Sequence, residues 1–296
     1  MPWTRWTAFA TLCILSGTSW VIPAEMSDGL SALEQQGLMF RLVGLAALMF
    51  VVREKQSRSN GRWVGLAGAG VGFFGVPMVV AEYARGSVPA TSRSALFAMV
   101  PVVVVMMIAA GHSAEREEGA RRFLAPALAG LGGLLLLLPL QFSGSARGSI
   151  MLAVVCATVV LVGVASVWLY RSLHGIAFAK AVAVVGFANA VFLLVWSAVR
   201  GDMTWRWSGV ASVLSVSTLV DVVEVLLLLW LMREMQPMRF AARYLAIPLV
   251  TVLESYVLVR PELTVRMGFG TVLLAVGTGM LLFLNAGEEE TVLSLH

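Results

Sequence analysis

Two stretches, Val100–Ala110 (VPVVVVMMIAA) and Leu131–Leu140 (LGGLLLLLPL), hold no charge and no alternation of apolar with polar residues. A strand with one wet face alternates with period two, and so does a barrel strand in lipid. Unbroken runs of this length are read instead as helices that are apolar all round. The rest of the chain has the same character. It is 59% hydrophobic and only 13% charged, with a mean hydropathy of +0.87. Soluble domains run at roughly 45–50% apolar and about 25% charged. So few charges cannot cover a surface facing water. They suit a chain facing lipid, where only helices and closed barrels satisfy every backbone group. The expected fold class is an all-α polytopic membrane protein.

A crossing helix needs about 20 predominantly apolar residues. Ten segments qualify: residues 4–23, 37–52, 63–83, 94–111, 120–140, 149–170, 177–199, 208–232, 240–259 and 266–286. The connections between them are short, and the chain ends in an acidic tail from Glu288 to His296. The net charge of +4 and pI near 9.5 come without a long basic run. They are assigned to cytoplasmic loops rather than to a nucleic-acid partner. Arg53, Lys55, Arg58 and Arg62 follow the second segment, and Arg116, Arg121 and Arg122 follow the fourth. The first connection carries Glu25, Asp28 and Glu34 with no Lys or Arg. This pattern puts both termini in the cytoplasm, although Arg147, Arg200, Arg206, Arg260 and Arg266 weigh the other way in the second half. Cys13 and Cys156 match no metal or redox spacing, and no cofactor is expected.

Pro101, Glu115, Gly130 and Gly132 recur as Pro248, Glu262, Gly277 and Gly279, each 147 residues on. The chain therefore divides into residues 1–142 and 143–296, with five helices each. The first apolar segment, which after Arg5 could pass for a signal peptide, is kept as a helix because the repeat needs it. Since five is odd, the two halves insert with opposite orientation, as in many secondary transporters.

Three stretches match a known pattern. The first is Phe40-Arg41-Leu42 leading into Gly44-Leu45-Ala46-Ala47-Leu48. The second runs from Ser94 through Met99-Val100-Pro101 to Glu115 and Gly130-Leu131-Gly132. The third runs from Ala241 through Ile247-Pro248 to Pro261-Glu262-Leu263-Thr264 and Gly277-Thr278-Gly279. In these the chain resembles the EamA-like family of the drug/metabolite transporter superfamily, over nearly its whole length. It departs at the loop glutamates, which follow Ala114 and Pro261 where the family pattern has glycine. The resemblance implies ten helices in two inverted EamA repeats and transport of a small solute, without naming the solute.

Charges inside membrane helices are costly and face cavities or partners. Asp221 and Glu224 lie three apart on the eighth segment, with Ser217 one turn earlier, and so share a face. Such a pair titrates as a unit and could exchange a proton for a cationic substrate. On the ninth segment Tyr244, Pro248, Thr251 and Glu254 follow helical spacing. Glu254 has Met107 as its repeat-mate, so the halves are not equivalent there. An ion pair with Arg41 or Lys180, or with a nearby loop arginine, is the structural alternative for these carboxylates. Arg41 could bind a carboxylate or phosphate in bidentate fashion, or snorkel to the interface. Ser16, Ser19, Trp20 and Pro23 form a polar and aromatic face on the first segment, with Trp168 as a rough counterpart of Trp20. Aromatic walls suit cationic substrates, while an interfacial belt is the bland alternative. Asn189 is read as bonding a neighbouring helix.

Gly70-Val71-Gly72-Phe73-Phe74-Gly75 spells a dinucleotide fingerprint but has no preceding strand. It is read as close helix packing, with Gly68 and Gly72 at the matching spacing. His112 and His174 are isolated. With no catalytic or metal constellation, an enzyme is not expected. The expected function is a secondary transporter, with export as the expected direction, of a small metabolite such as an amino acid or amine. It would work by alternating access as a monomer in the inner membrane, with the bilayer, a small-molecule substrate and candidate coupling protons as partners. The alternative is a lipid-carrier flippase or a non-transporting scaffold on the same fold.

Overall fold

The apolar runs become helices wherever the structure, a computed structural model, describes them: residues 2–21, 30–51, 63–110, 121–174, 176–203, 216–258 and 264–284. Among the described residues there are ten helical segments and no strand. They are α1 (Pro2–Val21), α2 (Ala32–Val51), α3 (Trp63–Ala84), α4 (Ala90–Ala109), α5 (Leu124–Leu137), α6 (Ala146–Leu173), α7 (Phe178–Arg200), α8 (Val216–Glu234), α9 (Pro237–Leu258) and α10 (Val265–Phe283). Six of them, α3, α4, α6, α7, α9 and α10, are long and apolar enough to cross a membrane. The chain is thus built as a multi-pass membrane protein.

Local chemistry sets the ends. Ser31 and Glu34 form a reciprocal cap at the start of α2: the Ser31 N–H donates to Glu34 Oε2 at 2.7 Å, and the Glu34 N–H donates to Ser31 Oγ at 3.3 Å. Such a box satisfies two of the orphan donors of a helix start. It explains why α2 begins five residues before the segment expected from hydropathy, and why Glu34 belongs to the helix rather than to an outer loop. Ser145 and Thr264 cap α6 and α10 in the simpler way. Gly201 ends α7 at φ 71°, a conformation that favours glycine.

Three helices are irregular. Val71–Gly75 in the middle of α3 winds as a π-helical turn. α4 breaks at Ala98–Met99, where the Met99 N–H turns to Leu96 O at 2.9 Å. The cause is Pro101, which offers no N–H to the Phe97 carbonyl and presses its ring against it. α9 tightens at Ala242, whose N–H donates to Arg239 O at 3.1 Å. Further along α9, Pro248 leaves the Tyr244 carbonyl without its helical donor.

Glycines bring helices into contact. A Cβ on Gly186 of α7 would lie 2.7 Å from the Gly44 nitrogen of α2. A Cβ on Gly277 of α10 would lie 2.6 Å from Gly130 Cα and 2.7 Å from Pro126 O of α5. In the fingerprint-like stretch, Gly70 packs on Val185 and Gly75 on Phe192 and Asn189, whereas nothing approaches Gly68. The close approach of α3 to α7 therefore uses Gly70 and Gly75 and not the Gly68–Gly72 pair expected from spacing.

The packing pairs follow a pattern. α2 lies along α7 and α5 along α10. The contact of α1 with α9 is matched by that of α6 with α4, and α1 with α8 by α6 with α3. Likewise α2–α8 is matched by α7–α3, and α4–α5 by α9–α10. Each of these pairs maps onto another of them, or onto itself, when each helix is exchanged with the one five places on. Outside this frame large apolar side chains stand exposed, Val265 at 92% and Met49 at 76% among them. A soluble monomer rarely exposes so much apolar surface.

Candidate functional site

A cavity of about 430 Å³ lies between α1, α3, α4, α8 and α9. The irregular turns of α3, α4 and α9 all border it, since Phe73, Phe97 and Tyr244 line its wall. Broken helices are tolerated at membrane depth where they face such a space. The wall is mostly apolar, and its polar groups are few: Ser16, Arg93, Ser94, Glu224, Arg243 and Tyr244.

Glu224 enters from α8 and accepts a short hydrogen bond from the Ser16 hydroxyl of α1. Asp221 is within Coulombic reach of Glu224 but does not line the cavity. From α9 comes Arg243, only 4% exposed. Its Nη2 donates to the Tyr244 hydroxyl at 2.7 Å. Its guanidinium carbon lies 4.3 to 4.9 Å from the ring centroids of Phe73, Phe240 and Tyr244. Cation–π contacts of this kind offset the loss of water around a guanidinium. Nη1 of Arg243 is buried with no hydrogen-bond partner. Arg243 also lies within Coulombic reach of Glu224, so one small apolar cavity holds groups of both signs. Arg93, the other cation on the wall, is tied down: its Nη1 donates to Ala81 O at 3.1 Å and Val88 O at 3.2 Å.

Two rings join across the cavity. Phe97 of α4 stacks on Tyr244 of α9, with centroids 6.3 Å apart and planes 20° apart. They are separated by the same 147 residues as Pro101 and Pro248, and as Gly130 and Gly277, which also meet.

The candidates read from the sequence divide as follows. Glu224 and Tyr244 meet at the cavity, with Ser16 and Pro248 beside them. Thr251 and Glu254 lie instead along the seam of α9 with α1. Thr251 Oγ1 donates to Ile247 O at 3.1 Å, and Thr18 Oγ1 donates to Glu254 Oε1 at 2.9 Å. Glu254 Oε2 is buried without a partner. Trp168 is 59% exposed on the outer face of α6, away from the cavity. Arg41 is exposed on α2 and does not reach the cavity either. The side chains of Trp20 and Ser217 lie outside the described residues, as do Glu115, Glu262 and His112. Asn189 is buried on α7 and bonds its own helix at Val185 O, 2.9 Å. Among the described residues no group of three His, Cys, Asp or Glu could hold a metal ion.

Arg243 was not among the sequence candidates. It stands near a helix start, where a basic residue reads as an inner-loop charge. The available signal was the 147-residue offset: Arg243-Tyr244 stands where Leu96-Phe97 does 147 residues earlier.

No family model matches the chain, and no curated protein matches it. Among solved structures, one described only as the crystal structure of a protein matches with a TM-score of 0.70 at 17% identity. The match covers 95% of this chain and 98% of the other. At that identity the likeness shows the fold alone. Its near-complete coverage on both sides means that the helices here recur together as one unit.

Proposed function

We propose that this chain is a secondary transporter of a small metabolite, with ten membrane spans in two inverted halves of the EamA kind. The observation that carries the reading is the cavity among α1, α3, α4, α8 and α9, where Glu224 and Arg243 stand in an otherwise apolar wall. Charges are kept in apolar helices when they serve a pathway or a substrate. The interchangeable packing of helices five apart, and the meetings of Phe97 with Tyr244 and Gly130 with Gly277, support the two-half architecture. Halves related by an axis through a central cavity can rock between two equivalent arrangements, which is the physical basis of alternating access.

In this reading Glu224, steadied by Ser16, and Asp221 form the coupling pair. The doubly charged state is disfavoured in low dielectric, so the pair exchanges a proton as the cavity changes side. A thermal-shift screen of amino acids, amines, organic anions and sugars finds the ligand, since binding to the folded state raises its apparent stability. The hit is then followed into liposomes under an imposed pH gradient. The expected result is uptake driven by the gradient and abolished by Asp221→Asn together with Glu224→Gln. Unchanged uptake by a well-folded double variant removes the carboxylates from the mechanism.

A further inference from the structure

We propose that Arg243 is the carboxylate-binding residue of the cavity, and that its ligand is a small organic carboxylate with an apolar body. This rests on the transporter reading and names the substrate class of the same site. Three observations carry it. Arg243 lines the cavity yet is 4% exposed, and its Nη1 has no hydrogen-bond partner. A buried donor on a charged group left unmade is costly, and an anion that binds there removes the cost. The guanidinium is also held in place, by cation–π contacts with the rings of Phe73, Phe240 and Tyr244 and by the bond from Nη2 to the Tyr244 hydroxyl. A fixed planar fork suits a planar carboxylate.

The rest of the wall selects within the anions. Arg93 keeps its charge but directs Nη1 to the carbonyls of Ala81 and Val88, whereas Nη1 of Arg243 is unmet. With Glu224 ionised beside the two guanidiniums, the wall carries one positive charge in excess, which suits a single negative charge and opposes a phosphate dianion. The Phe97–Tyr244 stack and Met78 give the apolar body a surface. Glu224 by contrast already accepts from Ser16, so its charge is partly answered within the protein.

The test uses the full chain in lipid nanodiscs and three probes that share a phenyl ring: 3-phenylpropanoate, 2-phenylethylamine and phenyl phosphate. Binding is measured by calorimetry and by thermal stabilisation at neutral pH. The propanoate is expected to bind about 10-fold or more tightly than the other two, as charge-assisted hydrogen bonds allow. Arg243→Gln weakens it by about 10- to 100-fold, and Arg243→Lys, which keeps the charge without the fork, falls between. Should Arg243→Gln fail to fold, the ranking in the unmodified protein and the Arg243→Lys variant decide. Amine or phosphate binding as tight as that of the propanoate, no binding of any probe at millimolar concentration, or propanoate binding unchanged in the variants overturns the assignment. A carboxylate that binds through Arg243 but never crosses a liposome leaves the assignment standing and removes the transporter reading. An amine that is carried while no carboxylate binds does the reverse.

Discussion

Glu254 and Thr18 show how a single side chain decides the worth of a buried charge. Glu254 Oε1 accepts from Thr18 at 2.9 Å while Oε2 is buried without a partner. Thr18→Val would leave the first oxygen unsatisfied as well, at about 1–3 kcal/mol of stability. Replacing both residues with apolar ones, Thr18→Val with Glu254→Leu, should recover most of that loss. Thermal unfolding of the two variants in one detergent checks it, and equal melting temperatures for the single and double variants count against the pairing. The carboxylates were legible in the sequence because a charge in an apolar run is rare. Arg243 was not, because its neighbour Phe73 comes from another helix and its own place near a helix start mimics a loop residue. Trp168 shows the converse. Its type suits a binding wall, but helical phase turns it outward, and phase relative to a cavity depends on where the neighbours are.

The helices owe their contacts to small residues at the crossings. Gly277 of α10 leaves no room for a Cβ beside Gly130 Cα and Pro126 O. Gly277→Ala must push α5 and α10 apart, because the atoms met are backbone, and overpacking of this kind costs about 1–3 kcal/mol. Two positions on, a Cβ at Gly279 meets nothing within 4 Å. Gly279→Ala should be neutral or slightly stabilising, since alanine favours helix. A thermal melt of the pair checks the contrast, and equal effects would mean that the crossing is not as close as described. The repeat offset pointed to Gly130, Gly132, Gly277 and Gly279 alike. Only packing separates Gly277, which touches its mate, from Gly279, which is open. The helix start at Ala32 could likewise have been read from Ser31-x-x-Glu34, but low hydropathy there hid the capping box.

For the molecule as a whole, the exposed apolar collar says which surface meets lipid. Cys156 is exposed in the course of α6, while Cys13 is buried. In intact membranes Cys156 should resist a charged, impermeant maleimide and react with it once the protein is denatured in SDS. Mass spectrometry of the labelled protein reads this directly, and rapid labelling by the impermeant reagent would put that face of α6 in water. A Cys156→Ser background carrying a new cysteine at Arg58 then tests orientation, with labelling expected only from the cytoplasmic side.

Composition and run length were enough to establish an all-helical membrane chain, since a backbone in lipid has few ways to satisfy itself. The 147-residue offset was also legible in prolines and glycines, and Gly130 and Gly277, which share it, meet at a helix crossing. The membership of the cavity was not. Leu12, Phe73, Phe97, Glu224 and Arg243 come from five helices, and which faces meet depends on crossing points and helical phase. A shift of one residue turns a helical side chain by about 100°, so hydropathy that names a helix leaves its inward face to packing.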